Sequence, residues 1–411
     1  MDSILYITYD GLTDPLGQSQ ILPYLKGLSQ KGYLITILSC EKKKNFHENE
    51  NIIRKQIREN NLKWEYIFYL KNPPVLSTLW DLWRMKRKAF ALHQNNNFSI
   101  IHCRSYIASL IGLNMKNQIG TKFIFDMRGF WVDERVEGGL WNLKNPLYKI
   151  IYNYFKKKEI EFLINADYTI SLTEKAKQII HSWKYIPNQP VSIEVIPCCV
   201  DIDRFARKKV DEKKLSVLRK TLNIMSDDFV LSYLGSIGTW YLMDEMLSFF
   251  SILLLVKPNA RFLFLTSGSQ QLICNAAEKI NIPIDNLIIQ KVPYALIPLY
   301  LSLSNVSIFF YNPGFSRSAC SPVKQAELMS LGIPIICNAG VGDTDDVIRN
   351  NQCGIIIEKF IPKEYNNAIA KMDDCLKIPS ENIRNIAIKH FSLDIGVERY
   401  DYVYRNLLAN N

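Results

Sequence analysis

The sequence lacks an uninterrupted apolar run long enough to cross a membrane. Its longest apolar stretch, Leu247 to Val256, is interrupted by Ser251 and followed by Lys257, so it is far shorter than the roughly 20 residues that a spanning helix needs. Residues 1–9 also lack the basic start and long apolar centre of a signal peptide, and are typical of a buried first strand. We therefore expect neither a transmembrane segment nor secretion.

Histidine and cysteine are present but form no metal-ligand or disulfide pattern. The five histidines share no common spacing, and seven of the nine cysteines are scattered singly, while Cys198 and Cys199 are adjacent. Adjacent cysteines suit neither an ordinary disulfide nor a zinc site. We expect no bound metal and a reducing, cytoplasmic compartment. No Ser/His/Asp arrangement stands out.

The chain has the length and apolar content of two globular domains. It has 411 residues, of which 48% are hydrophobic and 22% charged, which favours two cores over one. Short β-rich runs alternate with helical patterns, as in parallel βαβ units, and this alternation restarts after a charged, helix-like segment, Arg204 to Asn223. The predicted strands are 3–9, 33–40, 100–103, 122–125, 168–172, 229–234, 261–266, 286–290, 306–310, 333–337 and 354–358.

These patterns predict an α/β fold with two Rossmann-like, doubly wound parallel sheets. The first domain is expected to span residues 1–200 and the second residues 201–390. Open parallel sheets bind ligands beyond the carboxyl ends of their strands, so we expect the site in a cleft between two facing domains.

Excess positive charge is confined to the first half of the chain. Residues 1–200 hold 27 Lys and Arg against 18 Asp and Glu, and six of the seven tryptophans. The segment from Leu79 to Phe90 combines Trp80 and Trp83 with four basic residues, which suits contact with an anionic membrane surface; the run 156–158 could add to it. A core-packing tryptophan pair with a solvated basic face explains the pattern equally well. No nucleic-acid reader motif accompanies the charge, so nucleic acid is not an expected partner.

The segment from Ser321 to Gly332 carries helix signals at both ends. Ser321 suits the N-cap, Pro322 the first helical position, and Gly332 the position just past the end. The free N–H groups of the first turn and Lys324 would receive an anion, and Glu327 could accept hydrogen bonds from ribose hydroxyls. An ordinary surface helix with a Lys/Glu pair is the alternative interpretation.

A longer pattern surrounds this helix. The sequence SPVKQAELMSLGIP at 321–334, preceded by KVPY at 291–294 and followed by NAGVGD at 338–343, resembles the donor-binding half of retaining family 4 glycosyltransferases with the GT-B fold. The resemblance extends to IPCCVD at 196–201, Ala166-Asp167 and Phe391-Ser392. It implies a last segment, 391–411, that packs back on the first domain.

The resemblance also implies a reaction. A hexose would move from a UDP- or GDP-linked donor to an acceptor hydroxyl, with retention and without a metal or other cofactor, on a glycan or lipid-linked glycan. Such an enzyme would serve the assembly of a surface polysaccharide or glycoconjugate, in the cytoplasm and at the inner face of the membrane. The alternatives are a catalytically silent nucleotide-sugar-binding subunit and, ranked lower, a nucleotide-sugar epimerase.

Family roles can be carried over residue by residue. Glu327 would hold the ribose, Val292 and Pro293 would lie beside the base, and Ser321 and Lys324 would hold the diphosphate. The residues expected to carry catalysis are Lys324, Glu327, Arg317 and Arg128. The further expected donor-binding residues are Gly235, Ser236, Pro322, Gly340, Gly342 and Asp343.

Two features common in the family are missing. Ala319 stands eight residues before Glu327, where a first glutamate often contacts the donor sugar. The loop from Gly235 to Tyr241 lacks the usual Gly-Arg and the later Lys. We expect Arg317 and Lys324 to replace these cations, because the diphosphate leaving group still needs positive charge. The loop also fails as an NAD fingerprint, since its third glycine is absent.

Three loops of the first domain are expected to line the cleft. Gly17 and Gln18 lie in the polar loop after the first strand, where glycine would let the backbone approach a ligand. An ordinary connection is the alternative. The other expected residues, at or beyond the ends of later strands, are Arg104, Asp126, Arg128 and Asp133.

Arginine at a strand end suits bidentate binding of carboxylate or phosphate. Trp131 or Phe130 could stack on a sugar face. Many relatives have a histidine at the end of the strand that corresponds to residues 122–126, and its role would fall here to Asp126, Met127 or Arg128. The alternative is a solvated surface ion-pair cluster, whose members would be Arg128, Asp133, Glu134 and Arg135.

Overall fold

The computed structural model describes residues 2–409, which divide into two compact units. Unit 2 comprises Val200–Ser392, and unit 1 comprises the residues up to Cys199 together with those from Leu393 onward. Each unit is built around one parallel sheet.

Thirteen strands form within residues 2–409. They are β1 (Ser3–Thr8), β2 (Leu34–Glu41), β3 (Lys63–Phe68), β4 (Ile100–Arg104), β5 (Lys122–Asp126), β6 (Tyr168–Ser171), β7 (Ile193–Val195), β8 (Phe229–Leu234), β9 (Ala260–Leu265), β10 (Leu287–Gln290), β11 (Val306–Phe309), β12 (Ile335–Asn338) and β13 (Gly354–Ile357).

The same residues form eighteen α-helices. They are α1 (Pro15–Gln20), α2 (Leu22–Gln30), α3 (Lys43–Glu59), α4 (Leu76–Asn96), α5 (Ser105–Ile119), α6 (Trp131–Glu137), α7 (Pro146–Asn165), α8 (Glu174–Ser182), α9 (Glu212–Thr221), α10 (Met243–Val256), α11 (Gln270–Glu278), α12 (Ile297–Leu301), α13 (Val323–Ser330), α14 (Thr344–Asn351), α15 (Pro362–Ala370), α16 (Met372–Leu376), α17 (Ser380–Phe391) and α18 (Leu393–Ala409).

The sheet of unit 1 has the strand order β3-β2-β1-β4-β5-β6-β7, and its pairings are parallel. Strand order reverses between β1 and β4, which is the switch point where doubly wound sheets bind ligands. The register places Thr8 beside Arg104, and Arg104 beside Asp126. Three neighbouring strands thus end level with one another at this point.

The final helix, α18, packs against α2 inside unit 1. Close approach is possible because a glycine lies on each helix: a Cβ atom at Gly27 would come within 2.5 Å of Val397, and one at Gly396 within 2.7 Å of Tyr24. Tyr33 also donates a hydrogen bond to Asp401 at 2.8 Å. Helix α18 is therefore part of the core of unit 1.

The sheet of unit 2 has the order β10-β9-β8-β11-β12-β13, again with parallel pairings. Its switch point lies between β8 and β11, so the loops after these strands, together with the segment leading into α13, are positioned to hold a ligand. The two sheets confirm the predicted α/β class with two Rossmann-like domains.

Three local predictions need correction. Strand β3, which was not predicted, is a half-buried edge strand whose Lys63 is exposed. Strand β12 starts at Ile335 rather than residue 333, beyond Pro334, which cannot donate a ladder hydrogen bond. The charged segment predicted as one helix from residue 204 forms α9 only from residue 212, where the Asp211 carboxylate accepts hydrogen bonds from two first-turn N–H groups.

A helix must be both long and apolar to cross a bilayer. Of the helices within residues 2–409, none combines these two properties.

Candidate functional site

Helix α13 of unit 2 begins one residue later than its sequence signals indicated. Its first residue is Val323, and Pro322 occupies the N-cap position with an extended backbone and no side-chain cap. The predictions of Ser321 as the N-cap and Pro322 as the first helical residue are therefore wrong. Gly332, with φ of +74°, does follow the helix in the left-handed conformation.

Lys324 lies in the first turn of α13 and is buried despite its charge. Its Nζ lies 3.5 Å from the Tyr233 hydroxyl and 3.7 Å from the centre of the Tyr241 ring. Among residues 2–409 no acidic side chain forms a salt bridge with it. Burial lowers the pKa of Lys324 to about 7, although Glu327 opposes the shift. The ammonium group is thus held by aromatic rings instead of a carboxylate.

Gly235 follows β8 and lies directly against this lysine. Its φ is +137°, and a Cβ atom there would be 2.6 Å from Nζ of Lys324. Only glycine tolerates both the conformation and the contact. The next residue, Ser236, accepts a hydrogen bond from the Tyr233 hydroxyl through its carbonyl oxygen. The predicted donor-binding residues Gly235 and Ser236 therefore lie together with Lys324.

Glu327, one turn beyond Lys324, is also buried. Its Oε1 accepts a hydrogen bond of 2.8 Å from the hydroxyl of Tyr294. Burial raises the pKa of Glu327 to about 7, while Tyr294, Lys324 and Arg204 act in the opposite direction. The guanidinium of Arg204 lies 4.3 Å from the centre of the Tyr294 ring. Sequence reasoning missed Tyr294 and Arg204, although Tyr294 ends the KVPY pattern.

The two residues expected beside the base lie just before Tyr294. Val292 is half-buried and Pro293 is exposed. Pro293 precedes a short 3-10 helix, Tyr294–Leu296. The segment after β10 thus leads directly to Tyr294, whose side chain contacts Glu327.

Arg317 lies in a 3-10 helix, Phe315–Ala319, after β11. Its guanidinium lies 4.7 Å from the centre of the Trp240 ring, and its carbonyl oxygen accepts a hydrogen bond of 2.8 Å from the N–H of Gly342. Arg317 is buried, and its Nη2 contacts the Ser316 hydroxyl at 3.0 Å. It therefore links the loop after β11 to the loop after β12.

The loop after β12 contains three of the predicted donor-binding residues. Gly340 and Gly342 have φ values of +82° and +48°, and Asp343 stands at the N-cap position of α14. The following residue, Thr344, donates a hydrogen bond of 2.8 Å to Gln325 of α13. These contacts fix the loop after β12 against α13.

Two aromatic residues occupy the loop in which the usual cations are missing. Trp240 and Tyr241 follow Gly238, and Tyr241 forms isolated antiparallel bridges with Gly238 and Tyr311. The rings of Trp240 and Tyr241 lie against Arg317 and Lys324, respectively. The loop thus supplies ring faces that hold cations brought by other segments.

In unit 1, Arg104 and Asp126 meet at the switch point. Nη1 of Arg104 lies 4.0 Å from Oδ2 of Asp126, and its Nε lies 3.4 Å from Oδ2 of Asp10. Burial alone would raise the pKa of Asp126, but Arg128, His102 and Arg104 together lower it. The carboxylate is therefore kept ionised in a buried place.

Helix α18 supports this cluster from the opposite end of the chain. The Tyr400 hydroxyl donates to Asp126 at 3.1 Å, and the Tyr404 hydroxyl lies 2.7 Å from Nδ1 of His102. Burial lowers the pKa of His102, which favours the neutral ring. His102 and the two tyrosines were not among the predicted site residues, because the pairing of residues 300 apart is visible only in the fold.

Arg128 belongs to the same buried cluster. Its Nη1 lies 3.8 Å from Oδ1 of Asp126, and its Nη2 lies 3.3 Å from the Cys198 sulfur. Its φ of +58° is unusual for a residue with a side chain. Only 9% of the Arg128 side chain is exposed, so the alternative in which it belongs to a solvated surface ion-pair cluster is wrong.

Asp133 lies in a different network on α6 and α7. It accepts hydrogen bonds from the Tyr152 hydroxyl at 2.9 Å and from Nζ of Lys156 at 3.0 Å. Lys156 also pairs with buried Glu159. The structure therefore groups Asp133 with these side chains, apart from the cluster around Asp126.

The aromatic residues proposed for sugar stacking have other partners. Phe130 is buried, which contradicts its proposed role. Trp131 packs against Tyr106 and Trp141, and Arg135 lies 5.1 Å from the centre of its ring.

The loop after β1 is folded tightly on itself. A Cβ atom at Gly17 would lie 2.1 Å from the Gly11 carbonyl oxygen, so this glycine permits contact between backbones. Gln18 is exposed, and its Nε2 donates to the Thr13 carbonyl at 3.1 Å. Both residues lie on the short helix α1, so the prediction that they belong to a loop is wrong, and their contacts hold this helix against the segment that precedes it.

Glu41, at the end of β2, fixes this loop in place. Its buried carboxylate accepts hydrogen bonds from the N–H groups of Leu12 at 2.7 Å and Thr13 at 3.1 Å, and from the hydroxyl groups of Thr13 and Ser39. The sequence shows Glu41 only as an acidic residue after a strand, so this role was not predicted.

Replacement of Glu41 by alanine is expected to destabilise unit 1 by about 3 kcal/mol, because buried N–H groups of Leu12 and Thr13 would lose their acceptor. Denaturant unfolding and amide hydrogen exchange at these two residues would measure the effect. Glu48→Ala, at an exposed position of α3, is the matched control. Equal stability and equal exchange in the two variants would contradict the proposed anchoring role.

No group of three or more His, Cys, Asp or Glu side chains suited to hold a metal ion is found within residues 2–409.

Two family models match the chain. Residues 20–204 match the model described as Glycosyltransferase Family 4, and residues 216–389 match the model described as Glycosyl transferases group 1. Comparison with curated protein sequences gives no match.

Solved structures resemble the chain over essentially its whole length. Sucrose-phosphate synthase from Thermosynechococcus elongatus is 15% identical with a TM-score of 0.72, with 100% of both chains covered. A glycosyltransferase from Rickettsia africae is 15% identical with a TM-score of 0.69, covering 100% of this chain and 99% of that one. Anabaena HepE, solved in complex with UDP and glucose, is 10% identical with a TM-score of 0.68, with 99% and 100% covered. At these identities the likeness shows a shared GT-B fold.

Proposed function

The chain belongs to the nucleotide-sugar glycosyltransferases that these two family models describe, and we propose that it transfers a hexose from a UDP- or GDP-linked donor to a hydroxyl of a glycan or lipid-linked glycan. The proposed reaction retains the anomeric configuration and uses no metal. Its proposed setting is the assembly of a surface polysaccharide or glycoconjugate in the cytoplasm, at the inner face of the membrane.

The observation that carries the proposal is the buried Lys324, whose ammonium lies against aromatic rings at the start of α13. In the transfer, the bond between the anomeric carbon and the diphosphate oxygen breaks, and negative charge accumulates on the departing diphosphate. The lysine and the free N–H groups of the first helical turn would stabilise that charge. Gly235 leaves room for the phosphates to approach.

Arg317 supplies a second positive charge on a separate loop. Its guanidinium lies over Trp240, and cation–π contacts are weak enough to be exchanged for charge-assisted hydrogen bonds to phosphate. Arg317 and Lys324 thus replace the cations that the loop after β8 lacks. Ser321 and the loop from Gly340 to Asp343 would complete the contacts to the diphosphate and the sugar.

Glu327 would bind the ribose. One of its oxygens accepts the hydrogen bond from Tyr294, which orients the carboxylate so that the other can accept hydrogen bonds from ribose hydroxyls. Tyr294 follows Val292 and Pro293, the residues proposed to lie beside the base. One short segment would thus contact the base and position the ribose acceptor.

The cluster in unit 1 would bind the transferred sugar or the acceptor. Arg104 and Asp126 are buried, and only 9% of the Arg128 side chain is exposed. Charged groups in such a place form the strong hydrogen bonds that orient a polar ligand. The acceptor oxygen would form the new bond to the anomeric carbon as the bond to the diphosphate breaks, and the proton of the acceptor hydroxyl would pass to the departing diphosphate.

A panel of nucleotide sugars tests the proposal by calorimetry and by assays of transfer and slow donor hydrolysis. We expect one or a few UDP- or GDP-sugars to bind and to be consumed, and Glu327→Ala to reduce donor affinity about 100-fold. Glu364→Ala, on α15, is the control. If no nucleotide sugar binds, the proposed donor site is incorrect.

A catalytically silent binding subunit is the second candidate. It is favoured by Ala319, a buried residue of the 3-10 helix that offers no carboxylate to the donor sugar. Donor binding without transfer or hydrolysis across the same panel would support this candidate.

A further inference from the structure

Helix α4 of unit 1 has an unusual distribution of side chains between its two faces. The residues that it buries are small, polar or flexible, namely Ser77, Asp81, Met85 and Ala89. The residues that it exposes over its first turns are large and apolar, namely Leu76, Leu79, Trp80 and Trp83. An ordinary amphipathic helix of a globular protein has the opposite arrangement.

The exposed residues form one continuous ridge. Leu76 and Leu79 are 64% and 57% exposed, and Trp80 and Trp83 are 52% and 45% exposed. The two indole rings stack on each other with their centres 4.8 Å apart. The interpretation of the tryptophans as a core-packing pair is therefore wrong. Exposed apolar side chains that form a patch usually mark a binding surface.

The charges of the helix favour an anionic partner. Its one acidic residue, Asp81, is buried and accepts hydrogen bonds from the Tyr9 hydroxyl at 3.2 Å and the Leu70 N–H at 3.0 Å. Of the four basic residues that follow the tryptophans, Arg84 pairs with Asp81 and Lys88 with Glu65. The other two, Lys86 and Arg87, lie near the ridge, and the guanidinium of Arg87 is 4.9 Å from the centre of the Trp83 ring. Positive charge thus continues the same ridge.

Two of the three lysines in another basic run, 156–158, are paired with carboxylates inside unit 1. Lys156 pairs with Asp133 and Glu159, and Lys158 pairs with Glu161. The predicted contribution of residues 156–158 to a basic surface is therefore weak, and the positive surface of interest is the one on α4.

We propose that the ridge of Leu76, Leu79, Trp80 and Trp83 inserts into the interfacial region of a membrane that contains anionic lipid. Indole rings have an apolar body and a polar N–H, which suits the boundary between headgroups and acyl chains. Lys86 and Arg87 lie within reach of lipid phosphates at the same boundary. The ridge would bring unit 1 to the surface where a lipid-linked acceptor is found.

A protein partner fits these observations less well. The ridge is an exposed helix face that carries two adjacent indole rings and an excess of positive charge, and it combines the features by which interfacial helices bind anionic bilayers. The inference rests on the proposed function only for the identity of the acceptor, because binding to lipid alone needs neither donor nor acceptor.

Vesicle flotation with the full-length protein tests the inference. Vesicles made of equal parts phosphatidylcholine and phosphatidylglycerol are expected to carry the protein to the top of the gradient, and pure phosphatidylcholine vesicles much less. Replacement of Trp80 and Trp83 together by serine should reduce binding about tenfold or more, and Lys86→Glu with Arg87→Glu should remove the preference for anionic lipid.

The matched control is a double variant of unit 2, Val217→Ser with Leu255→Ser, which removes two apolar side chains that are more exposed than the tryptophans and lie on other helices. It should float like the unaltered protein. Donor binding, measured on every variant, reports on folding and on the proposed function separately from lipid binding. Failure of the unaltered protein to float, or equal flotation of the tryptophan variant, would overturn the inference. So would tryptophan-dependent dimerisation in sedimentation without lipid, because the ridge would then be a contact between two copies.

Discussion

Lys324→Met is expected to make the protein more stable and to weaken its binding of the donor. The ammonium group is buried among rings, and its pKa is lowered from 10.5 to about 7, so the folded state disfavours the charge. Methionine has a similar length and no charge. We expect the free energy of unfolding at pH 7 or below to rise by about 2 kcal/mol, and donor affinity to fall about 100-fold, since the diphosphate would lose its buried cation.

The pH dependence of unfolding checks the cause of this gain. The unfolded lysine binds its proton more tightly than the folded one, so between about pH 7 and 10.5 the unfolded state holds more protons and the lysine's destabilising effect fades as pH rises. The difference in stability between Lys324→Met and the unaltered protein should therefore be largest below pH 7. Denaturant unfolding at several pH values measures it, with Lys279→Met, an exposed position, as the control. A loss of stability in Lys324→Met at neutral pH would contradict the explanation.

Donor binding is expected to be strongest near neutral pH and to weaken on both sides. The diphosphate needs Lys324 protonated, and the ribose needs Glu327 ionised, yet the pKa of each group in the free protein is about 7. Above pH 7, donor binding must be accompanied by protonation of Lys324. Below pH 7, it must be accompanied by deprotonation of Glu327. Affinity should fall up to about tenfold per pH unit on either side.

The losses of donor affinity on the acid side and on the alkaline side of pH 7 can be separated by substitution. Lys324 is faced by Tyr233, Tyr241 and Cys320, and Glu327 by Tyr294 and Arg204. Calorimetry across pH should show that Glu327→Gln loses the acid-side weakening, while Lys324→Met loses the alkaline-side weakening. Because the two groups lie one helical turn apart, the measured values belong to the pair. A donor affinity that is flat from pH 6 to pH 8 would contradict this prediction.

The sequence predicts the elements with the strongest apolar runs. Most strands of both sheets are continuous apolar segments because helices cover both faces of each sheet. This pattern can be recognised in the sequence without a structure. Strand β3 was not predicted because Lys63 and Glu65 interrupt its apolar run at the edge of the sheet. The end of α13 is predicted by Gly332, whereas its start is not, because Ser321 and Pro322 are compatible with several geometries at the first turn.

Candidate site residues could be predicted when they belong to a local motif. Lys324 and Glu327 stand out from the helix signals together with the family resemblance around them, but the aromatic surroundings of Lys324 come from separate strands and loops. The same is true of Glu41, whose partners lie on another loop, and of Tyr400, which lies 274 residues from the Asp126 that it contacts. Contacts between residues so distant in sequence depend on the topology of the fold, so no local sequence pattern predicts them.

The placement of α18 in unit 1 has a consequence for biosynthesis. The ribosome produces residues up to Cys199 first, but their hydrophobic surface on α2 and the buried Asp126 and His102 receive their partners only when Tyr400 and Tyr404 have been made. Unit 2, which is continuous in sequence, can complete its core earlier. We therefore expect unit 1 to finish folding after unit 2, so that the proposed sugar or acceptor cluster is assembled only after α18 has been translated.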